Sequence, residues 1–114
     1  MDISVNPGGS VTVVTINGSV DGLTADQLLA TLDAQVDAGR THLVADLSGL
    51  EYTSSAGLRA VLGTVKRTRS KGGDLRLAAV QPQVFKVLDL AGFTGIMKLY
   101  DDVPSAVASF DVQA

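Results

Sequence analysis

The run Thr53-Ser54-Ser55-Ala56-Gly57-Leu58 sets three hydroxyl side chains in a row ahead of a segment whose apolar residues recur at helical spacing. Hydroxyls at such a place can do two things. One can accept a hydrogen bond from a free backbone N–H and cap the helix. One can carry an added phosphoryl group, because the positive end of a helix dipole favours an anion. A cap accounts for one hydroxyl. It does not require three, nor a glycine in the first turn, where glycine costs about 0.5–1 kcal/mol relative to alanine. Small residues also let another protein approach the backbone closely. Cap and modification site both stand as readings of this segment.

Other reactive groupings are sparse. His42 is the single histidine and there is no cysteine, so no base–nucleophile pair and no thiolate metal site can be assembled. His42 opens a strand and reads as structural. Asp101-Asp102 reads as a turn or cap. Neither common phosphate-cradling glycine motif occurs. A phospho-receiver domain would need an acidic pair after its first strand, and Val13 to Asp21 offers only Asp21. The expectation is a protein that is not an enzyme and uses no cofactor and no metal.

The hydroxyl cluster must be held by the elements around it. Ile3-Ser4-Val5 and Val11 to Ile16 read as strands joined by the turn Asn6-Pro7-Gly8-Gly9, a hairpin. Thr24-Ala25-Asp26-Gln27 has capping-box spacing with Thr24 as cap, followed by the stripe Ala25, Leu28, Leu29, Leu32, Val36 and a stop at Gly39. His42 to Leu47 reads as a strand buried on both faces. Ser48 to Ser55 reads as a loop into a second helix, with Leu58, Val61, Leu62 and Val65 on one side and Gly72-Gly73 at its end. Leu75 to Val80 is the next strand. Pro82 opens a helix with Val84, Val87, Leu88 and Ala91 inward, closed by Gly92. Ile96 to Tyr100 is a last strand, and Pro104 opens a terminal helix with Val107 and Phe110 facing in. The order β-β-α-β-α-β-α-β-α predicts an α/β fold with a mixed sheet, mainly parallel, carrying an antiparallel hairpin at its start. Functional loops of such sheets lie beyond the carboxyl ends of the strands, where Ser48 to Ser55 falls.

The 114 residues suit one domain spanning 1–114, and 46% hydrophobic residues with a mean hydropathy of +0.28 supply a core and argue against disorder. No apolar run approaches the roughly 20 residues of a membrane helix, and the start Met1-Asp2-Ile3-Ser4 lacks signal-peptide character. A cytoplasmic protein with no membrane insertion is expected. The net charge of −3 disfavours nonspecific nucleic-acid binding. The charge is uneven. Arg59 to Arg76 holds six bases and one acid, and the remainder holds three bases and eleven acids.

Asp46-Leu47-Ser48-Gly49-Leu50-Glu51-Tyr52-Thr53-Ser54-Ser55-Ala56-Gly57-Leu58-Arg59 resembles the signature of STAS domains, specifically the bacterial anti-sigma factor antagonists. Gly18-Ser19-Val20-Asp21 resembles the family's early Gly-x-x-Asp segment. Gly72-Gly73-Asp74-Leu75 and Val87-Leu88-Asp89-Leu90-Ala91-Gly92-Phe93 resemble later ones. The resemblance implies that the unphosphorylated protein binds an anti-sigma factor that is also a serine kinase, frees a sigma factor, and is switched off by phosphorylation that a serine phosphatase reverses. Aligned on Gly57-Leu58, the family's phosphorylated serine falls on Ser55, with Ser54 as second choice because it stands where aspartate is frequent. The resemblance places the partner-binding surface on Asp21, Thr24, Thr53, Ser54, Ser55, Gly57 and Leu58. The alternative it leaves open is a STAS accessory or scaffold subunit of another assembly, such as a lipid transporter or a stress-signalling complex.

Overall fold

The computed structural model describes residues 1–110, so the last four residues of the expected 1–114 domain lie outside the described residues. In chain order the elements are β1 (Asp2–Asn6), β2 (Thr12–Val20), α1 (Thr24–Asp37), β3 (His42–Asp46), β4 (Leu50–Thr53), α2 (Ser55–Ser70), β5 (Asp74–Ala78), α3 (Pro82–Leu90), β6 (Leu99–Tyr100) and α4 (Val103–Ala108). The strands lie in the order β1-β2-β3-β5-β6, with β4 paired to β2 off that path. The β1–β2 hairpin is antiparallel and every other pairing is parallel, as the residue pattern predicts.

Strand periodicity explains how the two faces of the sheet are filled. In β3 the successive residues Leu43, Val44 and Ala45 are all buried, pointing alternately to opposite faces. Leu43 and Ala45 join the main core with Val14, Ile16, Leu75 and Leu77, covered by α1, α2 and α3. Val44 belongs to a smaller cluster with Val11, Ala78 and Ala106, covered by α4. A fully buried leucine such as Leu75 or Leu77 contributes about 1.5–3 kcal/mol relative to an exposed one. The helices α1, α2 and α3 end at Gly39, Gly72 and Gly92, whose φ values of +85°, +81° and +78° demand the left-handed conformation that glycine adopts without strain.

Four expectations need correction. The order is β-β-α-β-β-α-β-α-β-α, because Leu50–Thr53 forms a strand where a loop is expected. β2 is nine residues long, and its first part pairs with β3 through Thr12 to Thr15. Its far end has backbone groups to satisfy beyond the reach of β3, and Leu50, Tyr52 and Thr53 supply the partners after a register shift between Gly18 and Ser19. β6 is trimmed to Leu99–Tyr100, since Ile96 and Met97 instead close a turn on the carbonyl of Phe93. On α3 only Val84 and Leu88 are buried, and Val87 and Ala91 face outward. On α1 Leu29, expected in the inward stripe, is exposed, because the buried face there is filled by Ala25, Leu28, Leu32 and Val36. On α4 Ala106 is buried, and Val107 and, just past the helix, Phe110 pack inward against the same cluster, as expected.

Candidate functional site

β2 and β4 run parallel and end together, with Val20 opposite Thr53. The Ser54 N–H then donates to the Val20 carbonyl at 2.7 Å. The chain therefore leaves the sheet twice at one place on its carboxyl edge, through Asp21 into α1 and through Ser54 into α2. This pairing puts Asp21 and Ser55 at the same end of the sheet.

The start of α1 differs from the expected capping box. Thr24 lies inside the helix and Leu23 at the cap position makes no side-chain cap bond. Asp21 does the capping. Its Oδ1 accepts the N–H of Leu23 at 2.9 Å and of Thr24 at 2.8 Å, and the Thr24 hydroxyl donates to the same oxygen at 3.0 Å. In return the Thr24 Oγ1 accepts the Asp21 N–H at 2.9 Å. The reciprocal pattern of a capping box is thus present, shifted three residues toward the N-terminus. An aspartate outcompetes threonine here because a carboxylate oxygen has lone pairs for several donors at once. The Thr24 N–H, the Thr24 hydroxyl and then the Leu23 N–H hold the exposed Asp21 carboxyl below its ordinary value.

The three hydroxyls before α2 have three different fates. Thr53 is buried, and its hydroxyl donates to the Ser54 carbonyl at 3.2 Å. Ser54 is the N-cap, in extended backbone, and its Oγ accepts the Gly57 N–H at 3.2 Å. Ser55 is the first helical residue and is exposed, and among the described residues its Oγ makes no hydrogen bond within the protein.

Gly57 is explained by packing inside the chain. A Cβ there would lie 2.3 Å from the Thr53 Oγ1 and 2.8 Å from the Val20 Cγ1. This replaces the expectation that its small size admits a partner. Thr53, Gly57 and Leu58, expected on the partner-binding surface, are buried. They hold the first turn of α2 against the end of β2. Asp21 and Ser55 are exposed, and Thr24 and Ser54 half-exposed. Two exposed neighbours were not among the expected site residues. Leu23, in the Asp21 box, is 88% exposed. Its signal is a leucine inside a capping turn, outside the apolar period. Arg59 is exposed and lies one turn beyond Ser55 on α2, a signal legible from the spacing of four.

Of the six bases between Arg59 and Arg76, three are paired with carboxylates. Arg67 pairs with Asp33 at 2.9 Å and with Asp37, tying α2 to α1. Arg69 and Arg76 both pair with Asp74. Among the described residues Arg59, Lys66 and Lys71 remain without an ion pair. No three His, Cys, Asp or Glu side chains among the described residues converge as metal ligands would. His42 stacks on Phe110 with ring centroids 5.0 Å apart. Asp102 caps α4 by accepting the Ser105 N–H at 2.8 Å, and that bond lowers its pKa. No described helix is long and apolar enough to cross a membrane.

Residues 2–106 match the STAS domain family. The chain is 36% identical over 110 residues to BtrV of Bordetella bronchiseptica, a protein provisionally named an anti-sigma factor antagonist, with 96% of this chain and 95% of that one covered. It is 29% identical over 113 residues to the anti-sigma F factor antagonist of Paenibacillus polymyxa, covering 98% of this chain and 97% of that one. Among solved structures, the anti-sigma factor antagonist SpoIIAA in its unphosphorylated form superposes with a TM-score of 0.85 over 99% of both chains at 19% identity. The phosphorylated form of SpoIIAA, a Bacillus cell fate determinant, gives 0.76 over 95% of this chain and 98% of that one, also at 19% identity. At that identity the superpositions speak for the fold.

Proposed function

The chain belongs to the STAS domain family, and from that premise we propose that it works in the cytoplasm, as one STAS domain, as an anti-sigma factor antagonist. Its unphosphorylated form binds an anti-sigma factor that is also a serine kinase, and the sigma factor is released. The kinase transfers the γ-phosphoryl group of ATP to the Ser55 oxygen, ADP leaves, and the hydroxyl proton passes to a base on the kinase. A serine phosphatase restores the binding form. The names of the relatives support the antagonist role.

One observation carries the choice of Ser55. Of three adjacent hydroxyls, Thr53 is buried and Ser54 is engaged as the cap, while Ser55 is exposed and its oxygen makes no hydrogen bond among the described residues. A kinase can reach it without undoing the helix start. The added charge of about −1.5 to −2 then sits on the surface beside Asp21 and Leu23, where a partner would have to desolvate it. The fold need not change, because α2 and its cap do not depend on the Ser55 hydroxyl. Asp21, Thr24 and Ser54 are the neighbouring contacts, and Thr53, Gly57 and Leu58 support them from below.

The test is to incubate the chain with its anti-sigma factor and ATP, map the product by mass spectrometry, and measure partner affinity before and after. Phosphate on Ser55 with lost binding is expected. Phosphate confined to Ser54 or Thr53 overturns the assignment.

A further inference from the structure

We infer that Arg59 is the intramolecular receptor for a phosphate on Ser55, an inference that rests on the phosphorylation proposed above. Residues four apart on a helix are neighbours, with about 5–6 Å between their Cβ atoms. Ser55 is the first residue of α2 and Arg59 the fifth. Both are exposed, so nothing in the fold stands between them and solvent. The cationic side chains farther along the helix are differently placed. Arg67 is held by Asp33 and Asp37 and Arg69 by Asp74, whereas Arg59 has no carboxylate within ion-pairing distance among the described residues. Lys66 has no ion pair among the described residues but lies three turns away from Ser55, and is therefore out of reach.

The chemistry of the pair is favourable. A guanidinium offers planar, parallel N–H donors that match two phosphate oxygens, and it remains charged at every relevant pH. The acidic groups nearby are Asp21 and Asp26 of the α1 side, both exposed. They would repel a phosphate, and Arg59 is the countercharge on the phosphate's own helix. Asp26, Leu29, Ala56 and Arg59 line one shallow groove between α1 and α2. Phosphorylation then alters this edge twice. It adds a dianion, and it neutralises the free cation of the groove by folding Arg59 back toward Ser55. A partner that reads the positive charge of Arg59 loses it at the moment the negative charge appears.

The experiment installs phosphoserine at position 55 of the full chain by encoded incorporation, which needs no kinase. The phosphate is titrated by 31P NMR in the parent chain and in Arg59→Gln, with Arg59→Lys and Lys66→Gln beside them. The second phosphate pKa, about 6 for an unperturbed phosphoserine, is expected to lie lower in the parent chain. It should rise by about half a unit to one unit in Arg59→Gln. Arg59→Lys should recover part of the shift, and Lys66→Gln should match the parent. The Arg59 Nε–Hε resonance should move on phosphorylation and follow the phosphate titration, a reading that requires no variant. Equal midpoints in the parent chain and Arg59→Gln, or an unmoved Arg59 resonance, overturn the inference. Failure of the functional reading looks different: the phosphoserine-55 chain would still bind the anti-sigma factor, with the Arg59 titration intact.

Discussion

The two ends of the sheet treat charge in opposite ways. At the amino end, Asp74 has a side chain only 5% exposed, and its carboxylate is fully occupied. Arg69 Nε donates to one oxygen at 2.9 Å, Arg76 Nε to the other at 3.0 Å, and the Leu75 N–H adds a third bond. The Arg76 guanidinium lies 4.0 Å from the Phe110 ring centroid and donates to the Ser109 Oγ, so α4 is locked to β5. At the carboxyl end the polar side chains pin backbone and remain in water. Asp21 holds a turn while exposed, and among the described residues Ser55 has no hydrogen-bond partner and Arg59 no counterion. Paired and buried charge fastens the fold, whereas unpaired and exposed charge is available to another molecule.

The largest effect expected from breaking this contrast is at the amino end. Asp74→Asn removes the countercharge of two arginines, one of them 13% exposed, and should lower stability by about 2–3 kcal/mol. Urea unfolding would measure it. Affinity for the anti-sigma factor, measured under folded conditions, should stay at the parent value, and a large affinity loss would show that the two ends are not independent.

The converse holds at the other end. Ser55→Asp should weaken partner binding about tenfold, or about 1.4 kcal/mol, because a carboxylate carries less charge than phosphate. Its melting temperature should match the parent, since no native hydrogen bond is removed. Calorimetry and circular dichroism on the same sample decide it. Unchanged affinity in the folded variant would remove Ser55 from the interface.

Ser54→Ala sharpens the division of labour between adjacent hydroxyls. Loss of the cap to Gly57 N–H should cost about 1 kcal/mol in stability. Ser55 should still be phosphorylated, and a variant in which the modification vanishes while the fold persists would transfer the assignment to Ser54.

Asp21 gives the smallest effect and a pH signature. Its folded-state pKa lies below the ordinary value of 3.8, so its contribution to stability is complete above that value and is lost as pH falls through the lower folded-state value. Asp21→Ala should therefore melt a few degrees lower than the parent at neutral pH, with the gap closing in strong acid. A partner contact adds a loss of affinity at a temperature where both proteins are folded. A lowered melt with parental affinity would confine Asp21 to its turn.

How much of this was legible in the residues depends on the range of the interactions. The stops at Gly39, Gly72 and Gly92, the helical stripes of α1 and α2, the hairpin and the buried run of β3 follow from periodicity and backbone preference, which act within a few residues. So does the position of Ser55 at a helix start. β4 was not legible, because Leu50-Glu51-Tyr52-Thr53 becomes a strand only through the unpaired far end of β2, some thirty residues earlier in the chain. Nor could spacing decide between Thr24 and Asp21 as cap, since both have suitable oxygens and the choice depends on which one the backbone leaving β2 turns toward the free N–H groups. The same limit applies to Thr53, Ser54 and Ser55. By type they are near-equivalent, and the sequence brings them together at the head of α2. Only the packing of Val20 against Gly57 turns the first inward and engages the second as the cap, which leaves the third exposed to a partner.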